Sequence, residues 1–107
     1  MYNRMTAPMT REFNVEMARS LREFSGTLAR ARQPQWQASF QQLAASFERV
    51  GTHQDRSRLA EQGLAYFSQP HGLNDWLKAR EGMLDSELYR ILEVTWVLIQ
   101  ELLKRYR

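Results

Sequence analysis

Helical apolar spacing runs the whole length of Leu84-Asp85-Ser86-Glu87-Leu88-Tyr89-Arg90-Ile91-Leu92-Glu93-Val94-Thr95-Trp96-Val97-Leu98-Ile99-Gln100-Glu101-Leu102-Leu103-Lys104-Arg105-Tyr106. Wound at about 3.6 residues per turn, Leu88, Leu92, Thr95, Ile99, Leu102 and Tyr106 stack on one line. Leu84, Ile91 and Leu98 fall to one side of that line, Trp96 and Leu103 to the other. Apolar residues therefore cover roughly half the cylinder, more than the ~100° stripe of a surface helix. Glu93, Gln100, Glu101 and Lys104 keep the remainder wet. A rod so apolar needs at least two neighbours, and the expectation is that it forms the central rod of a small bundle.

The residues upstream supply those neighbours. Thr10 is placed to cap a first helix, with Glu12 in its first turn where the helix dipole favours an anion. Phe13, Met17, Leu21, Phe24, Leu28 and Ala31 then recur at spacings of four and three, a narrow stripe that continues through Gly26. Pro34 ends this helix, since the residue before a proline is pushed from the helical region, and the same proline suits the first turn of the next. The second helix carries Trp36, Phe40, Leu43, Phe47 and Val50 on one line, and Gly51 stops it. Asp55 is the expected cap of a third, shorter helix presenting Leu59, Leu64, Tyr66 and Phe67, weakened by Gly63. It ends near Ser68.

Ser68-Gln69-Pro70-His71-Gly72-Leu73-Asn74-Asp75-Trp76-Leu77 fits neither a helix stripe nor solvent filler. Pro70 and Gly72 punctuate a turn, and Asn74 or Asp75 can cap a short helical turn carrying Trp76 and Leu77. Gly82 breaks it, and Asp85 caps the long C-terminal helix. The expected fold is all-α: a four-helix up-down bundle with a short helical turn between helices three and four. Residues 1–9, with Pro8 and no periodicity, are expected to be a flexible leader, and 10–107 a single domain.

Composition narrows the function class. Hydrophobic residues at 43% and charged residues at 25% are globular values, which argues against wholesale disorder. The chain has no cysteine, which closes thiol chemistry and thiolate zinc sites and suits a reducing, cytoplasmic setting. The opening residues lack an apolar signal core, and no apolar run is long enough to span a bilayer, so neither secretion nor membrane insertion is expected. A formal charge of +3 is a mild excess.

Catalytic signatures are weak. His53 and His71 sit in loops with no spacing that would pair them on a helical face, and Asp75 and Glu81 approach His71 only in sequence. No glycine pattern builds a phosphate loop, and no serine stands in a nucleophile elbow. The reading is that the protein is not an enzyme and holds no metal and no cofactor. Arg19, Arg22, Arg30 and Arg32, with Arg56, Arg58 and the tail Lys104-Arg105-Arg107, offer an alternative as a small nucleic-acid-binding regulator. Glu12, Glu16 and Glu23 interleave with the first group, however, at spacings that suit intrahelical pairs. Trp36 and Trp96 fall on core stripes. Trp76, following a turn, is read either as a plug for the bundle end or as a partner contact.

Trp36, Phe40 and Leu43, followed by Gly72-Leu73-Asn74-Asp75 and a terminal helix, resemble a family of small helical bacterial proteins of undefined function. The chain departs from that pattern in Gln69-Pro70-His71-Gly72, where further glycines and a serine are usual. The resemblance implies an immunity-type protein that binds and neutralises a bacterial toxin. On that reading the contacts come from the 68–81 connection: His71, Asn74, Asp75, Trp76 and Arg80. Because the apolar arc of the C-terminal helix is so wide, a homodimer through that helix is also expected.

Overall fold

The computed structural model describes residues 3–106, with side chains from 11 to 105. It is all-α: α1 (Asn3–Arg30), α2 (Pro34–Arg49), α3 (His53–Ser68), the short α4 (Leu73–Ala79) and α5 (Ser86–Tyr106). No strand occurs among the described residues. The four long helices form the expected up-down bundle, and α4 is the expected helical turn before the last of them.

Three levels fix the directions. Phe24 of α1, Phe40 of α2, Phe67 of α3 and Trp96 of α5 meet at one level, with ring centroids 5.1 to 5.8 Å apart. Leu43, Gly63 and Leu103 share the next. Asn14, Val50 and Arg56 share a third. The chain thus rises, descends, rises and descends through a closed ring in which α1 touches α2 and α5, and α3 touches α2 and α5.

The closure corrects the expectation of a central rod. α5 packs on α1 and α3 but not on α2, and the most extensive helix pair is α1 with α2. The fully buried line of α5 is Leu92, Trp96, Ile99 and Leu103, turned from the expected line towards Trp96. Leu88 and Leu102 are half-buried against the core, while Val94, Val97 and Leu98 are more than half exposed. The side chain of Tyr106 lies outside the described residues.

α1 begins at Asn3, not at a Thr10 cap. Pro8 has no backbone N–H, so the ladder of α1 lacks one bond at its second turn. Of the expected leader, Met1 and Tyr2 lie outside the described residues, and 3–9 are helical. Met17, Leu21, Phe24, Leu28 and Ala31 are buried as expected, but Phe13 is 52% exposed. The cause is the geometry of the bundle end: Asn14 is already level with the α2–α3 turn, so the turns before it overrun the bundle.

α1 closes on a left-handed residue without glycine. Arg32 has φ 61°, its N–H donates to the Ala29 carbonyl (3.0 Å), and the Gln33 N–H donates to that of Leu28 (2.9 Å). These are the two bonds of a Schellman stop. Pro34 then opens α2 in its first turn. Phe40, Leu43 and Phe47 are buried and Trp36 and Val50 half-buried, as the stripe requires.

α3 differs most from expectation. Its cap is Thr52, whose hydroxyl accepts from the Asp55 N–H at 3.1 Å; Asp55 lies one turn inside. Thr52 takes the extended backbone (φ −119°, ψ 153°) that aims its oxygen at the free amides, leaving Asp55 helical. At 16 residues α3 equals α2 in length rather than being shorter. Its buried line is Arg56, Ala60, Gly63 and Phe67, with Leu59, Leu64 and Tyr66 only flanking the core. Gly63 marks a close approach: a Cβ there would lie 2.9 Å from Leu43 Cδ2 and 3.0 Å from Leu103 Cδ1.

Candidate functional site

The corner between α3 and α5 carries the five residues singled out from sequence. After Ser68 the Gln69 N–H donates to Ala65 (3.0 Å), and the Gly72 N–H donates to the Gln69 carbonyl (2.8 Å). A Cβ on Gly72 would meet the Gln69 and Tyr66 carbonyl oxygens at 2.7 and 2.8 Å, so this position admits only glycine. His71 beside it is left-handed (φ 60°) and exposed. The Asp75 carboxylate accepts from the His71 backbone N–H at 2.9 Å, so the contact between the two residues ties the turn through an amide rather than the imidazole. Neither Asn74 nor Asp75 is the helix cap; Gly72 occupies that place, without a side-chain bond.

Asn74 has a longer reach. Its Oδ1 accepts from the Trp96 Nε1–H at 2.6 Å, fastening α4 to the centre of α5. Leu73 is fully buried beneath the corner. Trp76 is half-buried against the core; its Nε1 is buried with no hydrogen-bond partner among the described residues, and the Arg80 guanidinium carbon stands 5.6 Å from its ring centroid. The five residues are thus close in space, but Asn74 and Asp75 hold the chain together and Trp76 sits partly inside it.

The opposite end of the bundle holds a polar group that sequence reading missed. Asn14 and Arg56 are only 4% and 8% exposed. Asn14 Nδ2 donates to the Val50 carbonyl (3.3 Å), and Arg56 Nε donates to Asn14 Oδ1 (3.1 Å). Arg56 also lies 3.3 Å from His53 Nδ1, which accepts from the guanidinium when that nitrogen carries no proton. The one available signal was Arg56 standing one turn before Ala60 on the 56–60–63–67 line. Beside this group lies a shallow, open depression of 380 Å³ between α2 and α3, lined by Ser46, Arg49, Val50, Asp55, Arg58 and Leu59.

The arginines of the nucleic-acid alternative are partly engaged. Arg19 pairs with Glu16 (2.7 Å), Arg22 with Glu48 (2.6 Å), Arg58 with Asp55 (3.7 Å) and Lys104 with Glu101 (3.2 Å). The two-pronged hydrogen bond from Arg22 holds the Glu48 carboxyl below the usual glutamate range against an opposing desolvation, and Glu48 in turn raises Arg22. The contribution of this pair is present above that ordinary range and is lost as pH falls from it through the lowered folded value; on so exposed a pair it is small. Tyr89 is pushed up by desolvation, then by Glu81 and Glu93.

On the outside of α5, Val94, Val97 and Leu98 are 54%, 59% and 56% exposed. Ile91 is half-buried beside them, and the exposed Glu87, Arg90, Glu101 and Arg105 frame them along the helix. Single exposed aliphatics are common; three within five residues on one helix form a patch.

Among the described residues no cluster of His, Asp or Glu could hold a metal ion, and no helix is long and apolar enough to cross a membrane. Comparison with known protein families, with curated proteins and with solved structures finds no match in any of the three. The structure defines a class: a four-helix bundle with a short fifth helix and, among the described residues, an apolar patch on the outside of α5.

Proposed function

We propose that this chain is a non-catalytic protein–protein interaction module and that the outer face of α5 is its contact surface. The observation that supports this reading is the exposure of Val94, Val97 and Leu98 in a molecule whose other long apolar stripes are largely buried. The polar side chains of the 71–80 corner serve it less well, because Asn74 and Asp75 are engaged in internal bonds. Within this class the particular reading is an immunity-type protein that occludes a toxin, supported by the resemblance carried by Trp36, Phe40, Leu43 and Gly72-Leu73-Asn74-Asp75. The nucleic-acid reading has no comparable support, since Arg19 and Arg22 hold carboxylates.

The test is co-expression with the products of neighbouring genes in the native genome, scored for growth rescue and followed by calorimetry on the purified pair. Rescue by the wild-type chain, lost on Val94→Asp, is the expected result. Absence of both rescue and binding for every neighbouring product would refute the immunity reading.

A further inference from the structure

The contact surface assigned to α5 leaves open what covers it, and the charges along the helix select an occupant. Glu87, Ile91, Val94, Leu98, Glu101 and Arg105 follow one another at spacings of four and three on the outside of the bundle. That is the spacing of a helix-pairing seam. Its exposed members lie on the side of α5 turned away from the Leu92–Trp96–Ile99–Leu103 line. The apolar layers are central and the charged ones terminal.

The charge is divided along the helix. The first half of the outer surface carries Glu87, Arg90 and Glu93, two acids and one base; the second half carries Glu101, Lys104 and Arg105, one acid and two bases. A helix with an acidic first half and a basic second half is complementary to itself when reversed. Parallel pairing would set Glu87 on Glu87 and Arg105 on Arg105.

We infer that the outer face of α5 is covered by α5 of a second copy of this chain, running antiparallel about a two-fold axis between Val94 and Leu98. The inference rests on the protein-binding reading above and names its partner. In this register Val94 packs on Leu98 of the second copy, and Glu87 meets Arg105 of the second copy. Arg90 approaches Glu101 of the second copy, which in the isolated chain is held by Lys104 at 3.2 Å. The two-fold repeats each contact, so the interface is isologous and closes at two chains. Opposed helix dipoles favour the same orientation. Exposed ion pairs add little affinity, so they set orientation and register while the aliphatic layers supply the attraction. The seam is narrow, and the dimer forms reversibly as concentration rises.

Sedimentation velocity on the full chain, from dilute to millimolar concentration, tests this. The expected result is a shift from monomer to dimer that Leu98→Asp abolishes. Glu87→Arg alone and Arg105→Glu alone weaken the dimer severalfold, and the double reversal restores it. All three sites are exposed, and far-ultraviolet circular dichroism verifies that the variants fold. A wild-type chain monomeric at every concentration overturns the inference, as does a dimer indifferent to both reversals. The wider reading is distinguishable: a monomer that binds another protein, and loses it with Val94→Asp, retains the contact surface and removes only the second copy. A monomer that binds none of the neighbouring gene products removes both.

Discussion

Arg32 shows how one residue can be held against its own preference. A side chain with a Cβ in the left-handed region costs ~1–2 kcal/mol, yet the two bonds that close α1 require that conformation here (φ 61°). Arg32→Gly is therefore expected to stabilise the protein by about 1 kcal/mol, less the extra chain entropy glycine loses on folding. A rise in the urea midpoint at unchanged slope measures it. The tryptophans give a paired comparison. Trp76 keeps a buried Nε1–H without an acceptor, whereas that of Trp96 donates to Asn74. A buried donor without a partner costs about 1–3 kcal/mol. Trp76→Phe removes that donor while keeping a ring beside Arg80, and should leave stability unchanged or raised. Trp96→Phe loses a bond worth about 1 kcal/mol and some ring volume, and should lower it. Equal shifts in the two denaturation curves, or a larger loss for Trp76→Phe than for Trp96→Phe, would contradict the assignment.

At the scale of elements, capping decides where α3 starts. Thr52→Ala is expected to cost about 1 kcal/mol, within the range for loss of a threonine cap; Asp55→Asn, which leaves the Thr52 bond in place, should cost less by thermal denaturation. Sequence favoured Asp55 because both residues are good caps, and only the extended backbone of Thr52 selects between them. The same limit explains which elements were legible. α2 could be read because its buried line is made of large apolar side chains. α3 and its end at Ser68 could be read, but its buried line could not, because Arg56, Ala60 and Gly63 carry no hydropathic signal; they are buried through closeness of approach. The apolar width of α5 was visible, but not which part of it the neighbours cover. The 68–77 segment stands out in the sequence, yet Asn74 finds Trp96 across 22 positions, and Arg56 finds Asn14 across 42. Sequence periodicity within one helix cannot register such pairings.

At the scale of the molecule, the ring of helices has three seams between sequence neighbours, counting the α3–α5 turn with its short helix, and one between the two ends of the chain. Local contacts form quickly because little loop entropy is lost in making them. The α1–α2 pair, the most extensive and joined by a link as short as that between α2 and α3, is thus the expected nucleus, and the α1–α5 seam the last to close. Stopped-flow measurements should show Phe40→Leu slowing refolding, while Ile99→Val chiefly speeds unfolding. The reverse pattern would place the nucleus elsewhere. On the ribosome the consequence is a temporal one: the first hairpin is made early, α3 covers part of its greasy flank, and the side of α1 that meets α5 has no cover until that helix emerges. That interval, rather than the finished bundle, is when this polypeptide is most exposed to chaperones and to misassembly.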